Sequence, residues 1–531
     1  MKKVAKKMVV IEENTVTYMN PKKRLIILYT SDIHGQLNAT NYASKNNDVC
    51  GLTRLASYLT KLKDEFILLD NGDSLQGSPL LDYARLFLPI HQHPLPHIFN
   101  MVGYHYYTLG NHDFNYGMDY LTSIIKQIKA TLICANITTK DHKRLFQPYV
   151  IHQTSDHLRV GIIGVVTQYI PHWEQKEHIE NLLFQDAYES VKEILPEVQK
   201  QADVIIVLYH GGYERNMQTQ VPHGRPTDEN QGYLISRLPG VHVLLTGHQH
   251  VPQVHQTPSG ITLQTGLNAR DFGEVVIEYE VHSNHFVLTN LNGQILANTF
   301  PEEKAVASLL EPLEQNVNLW LDQELGHTPM NFLIQDPLSC RIQKHPLFQL
   351  INHVQLEHTH ADISCSSLPN HPPGFSKVIT RREIMANFIY PNTLVKLQIS
   401  GKILKSALEK NAQYFDVIEN QLCVHSSYIH PKLEHYNYDV YDGIEYTMDI
   451  RNPVGSRIIS LKHNNQDIKE NDEFTLVLNN YRASGGGDFE MFQEATIVDE
   501  YEISLATLMT EYIENHPNLE FDLISNFSIN Y

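Results

Sequence analysis

The stretch RLIILYTSDIHG (24–35) is an apolar run, Leu25 to Leu28, that breaks abruptly into Asp32, His34 and Gly35. The same pattern returns in FILLDNGD (66–73), TLICANI (131–137), RVGIIGVVT (159–167), DVIIVLYHGG (203–212) and VHVLLTGHQH (241–250). Runs that are apolar throughout, rather than alternating, predict strands buried on both faces of a sheet. Between them, LTRLASYLTKLKDE (52–65) carries Leu52, Leu55, Leu59 and Leu62 on one helical face, and 118–129 and 187–201 read likewise. Strands alternating with helices predict an α/β sheet layer. EVVIEYEV (274–281) and HFVLTNL (285–291) change toward alternation, which predicts antiparallel strands closing this domain.

Farther along, PEEKAVASLLEPLEQNVNLWLDQELG (301–326) reads as one helix, with Pro301 in its first turn and Gly326 as its C-cap. It divides the chain into an N-terminal tail (1–23), a first domain (24–300), this linker helix (301–326) and a second domain (327–531). The second domain mixes a helix at 402–415 with strands TLVKLQIS and FTLVLNNY.

Composition excludes several functions. Acidic residues outnumber basic ones 60 to 41 over 531 residues, a net charge of −19. Such a field repels phosphate backbones and anionic lipid, which argues against a nucleic-acid polymer as partner. The five cysteines are widely spaced with no CxxC, so reduced thiols are expected. The apolar run MVVI near the start ends at Glu12, too short for a secretory signal, and no internal run approaches a membrane span. A cytoplasmic protein without membrane attachment is the expectation. The 30 histidines pose a question: metal ligands, or surface residues?

Position answers it better than number. Successive strands end in Asp32 and His34, in Gly72-Asp73, in Asn111-His112-Asp113, in His210, and in His248 and His250. Alone, a DxH or a Gly-Asp after a strand describes a solvated turn. Ligands of open α/β sheets, however, bind outside the carboxyl ends of the strands. Five strands thus deliver Asp, His, Asp, Asn, His, His and His to one edge, enough for two cations of mixed N/O coordination. The other 25 histidines, including HQHPLPH (91–97) and HTH (358–360), show no ligand pattern.

The order DxH, GD, GNHD, H, GHxH resembles the calcineurin-like metallophosphoesterases. NGDSLQGSPL (71–80), LGNHDFNYG (109–117) and TGHQH (246–250) look like the 5′-nucleotidase branch. YPNTLVKLQISGKILKSALE (390–409), YNYDVYDGIEYTMD (436–449) and NNYRASGGGDF (479–489) resemble that family's C-terminal nucleotide-binding domain. The motifs lie closest to the 2′,3′-cyclic-nucleotide 2′-phosphodiesterase/3′-nucleotidase members. SCSSLPNHPPGF (364–375) departs from 5′-nucleotidases, many of which have a phosphate-contacting Arg in the corresponding stretch.

The resemblance implies a four-layer αββα sandwich joined to an α+β domain. It also implies two divalent cations (Mn, Zn, Fe or Co), one held by Asp32, His34, Asp73 and His250, the other by Asp73, Asn111, His210 and His248. His112 would stabilise the transition state or protonate the leaving oxygen, and Asp113 would orient the His112 ring. Tyr436, Tyr438 and Tyr481 sit in the base-stacking motifs, and a strand-core role competes for at least one. The expected substrate is a small-molecule nucleotide, cleaved as a 2′,3′-cyclic or 3′-phosphate. A 5′-nucleotidase or UDP-sugar hydrolase is the rival within the class, and a non-catalytic nucleotide sensor or metal-binding protein the rival outside it. Ligand histidines must be neutral to bind metal, so activity should fall in mild acid.

Overall fold

From Leu25 onward every residue of the Lys22–Thr30 strand is buried, because strands flank it on both sides and layers cover both faces. A computed structural model describes residues 9–12, 15–18, 22–222, 228–282, 285–390, 392–430, 433–501 and 503–531. Two compact units divide the chain: residues 1–41 with 45–314, and 42–44 with 315–531.

In the first unit, Lys22–Thr30, Phe66–Asp70, Tyr106–Tyr107 and Thr131–Leu132 run parallel, in that order. Asp271–Val281 pairs antiparallel with Lys22–Thr30, and Phe286–Ala297 closes that edge. A second six-stranded sheet has the order Gln253–Gln256, Ile261–Gln264, Val243–Thr246, Val204–His210, Arg159–Val166, Tyr149–Gln153, and its four middle strands are parallel. Leu25, Ile27, Leu69 and Val275 of the first sheet share one buried cluster with Ile162, Ile206, Leu208 and Leu245 of the second, so the sheets pack face to face. The alternate residues Ile163, Val165, Ile205 and Val207 pack instead on Val191, Ile194 and Val198 of the Ala187–Gln201 helix. The apolar runs predict the sheets, and the sandwich they form is the one that the resemblance implies.

TLICANI is not one strand. Ile133 donates its amide to Tyr107 O in the first sheet, and Ala135 to Gly164 O in the second, so the segment crosses between sheets. Gly164 permits this: a Cβ there would stand 2.2 Å from Ile133 O. The first strand also begins two residues earlier than the sequence suggests, and Val9–Glu12 pairs antiparallel with Thr15–Tyr18 inside the predicted tail.

The predicted 301–326 helix is shorter, Lys304–Leu321. At its start, Glu302 Oε1 accepts from Ala39 N and Thr53 Oγ1, and Glu303 N donates to Thr53 O, which holds Pro301 to Glu303 outside the helix. At the other end, Gly326 is no C-cap but lies in the strand Glu324–His327, paired with Val378–Thr380.

The second unit has a five-stranded mixed sheet, ordered Asp439–Asp442, Ile363–Ser367, Glu473–Asn479, Leu394–Ser400, Thr496–Tyr501, and a four-stranded sheet around Glu445–Asp449. Of FTLVLNNY only the part up to Asn479 is strand; Asn479 caps a short helix, Asn480–Ala483, that contains Tyr481. Among the described residues no helix is long and apolar enough to cross a membrane.

Candidate active site

All seven predicted ligands meet at the carboxyl ends of the parallel strands. Asp32, His34, Asp73 and Asn111 come from the first sheet; His210, His248 and His250 come from the second. Five of them sit in the left-handed region: Asp32 (φ 54°), His34 (46°), Asp73 (56°), His248 (69°) and His250 (59°). Non-glycine residues held there cost about 1–3 kcal/mol each and mark sites where function overrides local preference. Two glycines make room for them. A Cβ on Gly110 would stand 2.2 Å from Asp73 Oδ1, and one on Gly247 would stand 2.5 Å from Asp32 Oδ2.

The ligand atoms form two groups, Asp32 with His34 and His250, and Asp73 with His210 and His248. His34 Nδ1 is bonded to Gln76 O (3.1 Å) and His210 Nδ1 to Asn71 O (2.7 Å), so each ring donates outward and turns Nε2 to the centre. His248 is reversed: Nε2 meets Glu229 Oε1 at 2.8 Å, and Nδ1 lies 2.9 Å from Asn111 Oδ1. Asn111 Oδ1 also lies 3.2 Å from His210 Nε2. Asp73 Oδ2 is 3.2 Å from His210 Nε2 and 4.0 Å from His34 Nε2, buried without a well-directed hydrogen bond.

These distances fit the donor set of a divalent pair. His34 Nε2 and His250 Nε2 face each other at 3.2 Å, and His250 Nε2 is 3.3 Å from Asp32 Oδ1. Metal–nitrogen bonds near 2.1 Å place neighbouring ligand atoms roughly 3 Å apart, which is this spacing. The charges agree. Burial pushes His34 down to about 4, helped by His250 and His112. Burial also opposes a proton on His210, but the Asp73 carboxylate outweighs it and lifts His210 to about 10. Asp73, despite its burial, is held well below the usual carboxylate range by His210 and His112.

Two expectations need correction. Asp113 does not reach the His112 ring. It lies in the turn His112–Phe114, and its carboxylate accepts four amides: Asp73 and Gly110 on Oδ2, Ser74 and Leu75 on Oδ1, at 2.8–3.0 Å. It holds the loop that carries Asp73. The ring's partner is Asn115, whose Oδ1 is 2.8 Å from His112 Nδ1. Tyr438 is also not available for stacking. It is fully buried, tilted on Tyr414 at 4.8 Å and edge-on to Phe415 at 5.1 Å, and so has no open face. Tyr436 and Tyr481 are half-buried. Arg482 ties them together: its Nη2 donates to Tyr436 O at 3.0 Å, and its guanidinium lies 5.7 Å from the Tyr481 ring.

Four participants were not singled out from sequence. Asn115 meets the His112 ring. Glu229 backs His248. Trp173 stacks on the His248 ring, centroids 5.3 Å apart and 29° between planes. Glu174 accepts from Asn115. Only Asn115 carried a signal, since it lies three residues beyond His112 within the LGNHDFNYG motif.

Asp70, at the end of Phe66–Asp70, gives the site a pH signature. It accepts from Thr30 Oγ1 (2.6 Å), Ser74 Oγ (2.7 Å) and Gly72 N, yet burial pushes its carboxyl up to about 7. The folded pKa lies above the unfolded one, so its stabilising contribution is complete below pH ~4 and is lost as pH rises through about 7. Asp70→Asn removes that loss. The variant should gain stability relative to the parent by up to about 4 kcal/mol between pH ~4 and ~7.5. Urea unfolding of both proteins at each pH checks this; a pH-independent difference would contradict it.

Known proteins agree with this geometry. Residues 25–252 match the calcineurin-like phosphoesterase family, and 325–494 match the 5′-nucleotidase, C-terminal domain family. The Bacillus subtilis trifunctional nucleotide phosphoesterase protein YfkN is 26% identical over 96% of this chain, which spans 39% of that longer protein. The 2′,3′-cyclic-nucleotide 2′-phosphodiesterase/3′-nucleotidase of Salmonella typhimurium is 28% identical, over 87% of this chain and 81% of its own. A solved structure from Staphylococcus aureus, of a protein described as a putative 5′-nucleotidase and crystallised with α-ketoglutarate, is 31% identical. It covers 96% of this chain and 100% of its own, with a TM-score of 0.88. Site geometry, both domain matches and this whole-chain likeness lead to one conclusion: the chain belongs to the 5′-nucleotidase family of calcineurin-like metallophosphoesterases, metal-dependent phosphoester hydrolases.

Proposed function

We propose that this chain hydrolyses nucleotide phosphoesters, with 2′,3′-cyclic nucleotides and 3′-nucleotides as preferred substrates. One observation carries the hydrolytic reading: side chains from two sheets converge in two ligand groups, Asp32 with His34 and His250 and Asp73 with His210 and His248, and Asp73 Oδ2 lies 4.0 Å from His34 Nε2 of the first group. In this reading Asp32, His34, Asp73 and His250 hold one cation, and Asp73, Asn111, His210 and His248 the other. Two cations held there would supply Lewis-acid activation of water and would neutralise charge on the phosphoryl oxygens. His112, half-buried beside His34 with ring centroids 5.4 Å apart, protonates the leaving ribose oxygen. Trp173 and Glu229 fix the His248 ring from its face and its outer nitrogen. Tyr436 and Tyr481 offer half-open aromatic surface to a base, which stacking accepts without demanding one sequence.

The substrate branch rests on the named relatives and on the motifs quoted above. A 5′-nucleotidase is the second reading, favoured by the Staphylococcus aureus likeness. A panel of 2′,3′-cyclic AMP, 3′-AMP, 5′-AMP and a UDP-sugar, run on metal-analysed protein, separates them. The expected result is higher kcat/KM on the first two; turnover of 5′-AMP alone would overturn the preference.

A further inference from the structure

His112 ends a line of hydrogen bonds that leaves the site. Its Nδ1 meets Asn115 Oδ1 at 2.8 Å, and Asn115 Nδ2 donates to Glu174 Oε2 at 2.7 Å. The other carboxylate oxygen, Oε1, takes His178 Nδ1 at 2.7 Å and the amide of Gln175 at 2.9 Å. Glu174 arrives from a different segment, between the turns Ile170–His172 and Lys176–Ile179, and its side chain is only 5% exposed.

The polarity of this line is determined by its far end. A carboxylate only accepts, so the NH2 side of Asn115 must face Glu174. The amide oxygen must then face His112, and an amide oxygen also only accepts. Nδ1 therefore carries a hydrogen, and in the neutral ring Nε2 is the nitrogen left with a lone pair. Without the carboxylate, the amide rotates by half a turn at little cost and presents NH2 to Nδ1. Nδ1 can then only accept, so the ring cannot hold hydrogens on both nitrogens, the form that gives its Nε2 hydrogen to a leaving oxygen and keeps Nδ1–H toward Asn115.

We propose that Glu174 is a positioning residue for His112, acting through Asn115 to fix both the tautomer and the ring plane. The inference rests on the reading of His112 as the group that protonates the leaving oxygen. It assigns a task to a residue 59 positions beyond Asn115 that reaches the His112 ring only through that amide. It also explains why an amide can stand beside this histidine: the negative charge sits one bond farther out.

Exchanging the two ends of the Asn115–Glu174 bond tests the proposal. In Glu174→Gln the amide orientation is no longer enforced. In Asn115→Asp two carboxylates face each other across 2.7 Å. Each single variant should lose about ten- to a hundredfold in kcat, with KM within about twofold and bound metal unchanged. The double variant Asn115→Asp/Glu174→Gln restores an acceptor toward Nδ1, a donor toward the carboxylate introduced at position 115, and the original total charge. It should recover most of the lost kcat. A merely structural contact would not produce that reversal. A double variant no faster than the slower single one, or an unimpaired Glu174→Gln, would overturn the proposal. His112→Ala keeps the two readings apart. If it loses rate with metal retained while the exchange shows no rescue, only the relay fails; if His112→Ala is as fast as the parent, the role of His112 itself is wrong.

Discussion

Asp73→Ala is expected to lower turnover at least about a thousandfold and to bring bound metal below two ions per chain. Asp73 belongs to one ligand group and reaches toward the other, with Oδ2 3.2 Å from His210 Nε2 and 4.0 Å from His34 Nε2. Its other oxygen accepts from His112 N at 2.7 Å, so the same carboxylate also sets the backbone from which His112 projects. Deleting it removes the anionic ligand that the proposed reading shares between two cations, and it loosens the neighbouring turn. The fold should survive, because the loop itself is held by Asp113 through the amides of Gly110, Asp73, Ser74 and Leu75, none of which needs the Asp73 side chain. Metal analysis, steady-state rates and a thermal melt on the same preparation check all three parts. Activity within about tenfold of the parent, with two ions still bound, would show that Asp73 does not bridge.

Much of this site is legible in the sequence because buried parallel strands must be apolar. Where such a run stops at Asp, His or Asn, the polar residue lies by construction at the strand's carboxyl end. That logic finds Asp32, His34, Asp73, Asn111, His210, His248 and His250 without knowledge of how the sheets stack. It fails for the supports. Asp113 and His112 are adjacent, but the 112–114 turn sends their side chains in different directions, one into the loop and one to Asn115. Glu174 and Glu229 lie in irregular segments whose partners are decided only by chain closure. Periodicity has the same limit in the second unit: Tyr436 and Tyr438 are two residues apart in one motif, yet Tyr436 precedes the Asp439–Asp442 strand on a half-buried turn and Tyr438 points into the core. The Lys304–Leu321 helix starts late for a comparable reason, since bonds from Ala39 and Thr53 to Glu302 compete with a helical first turn.

Arg482→Ala should cost about 3–5 kcal/mol of unfolding free energy, the largest stability loss expected from any single change discussed. Arg482 and Asp439 are each 1% exposed and pair at 2.8 Å. Burial already pushes the Asp439 carboxyl up, with the guanidinium opposing that shift, so removing the arginine leaves the carboxylate to protonate or to draw water inward. The same guanidinium donates to Tyr436 O and Gly486 O, closing the turn that bears Tyr436 against the 485–487 glycines. Gly487, at φ 72°, could not gain a Cβ without meeting Asn437 Oδ1 at 2.2 Å, so the packing there is specific. Asp439→Asn added to Arg482→Ala should recover part of the stability, because the unpaired charge is then gone while the lost packing is not. Urea denaturation of the three proteins measures both steps. A loss below about 1 kcal/mol in the single variant would mean the carboxylate reaches solvent once its partner is removed. No recovery in the double variant would instead assign the loss to the guanidinium's carbonyl bonds and its packing at 4.1 Å on Phe489 rather than to the charge pair.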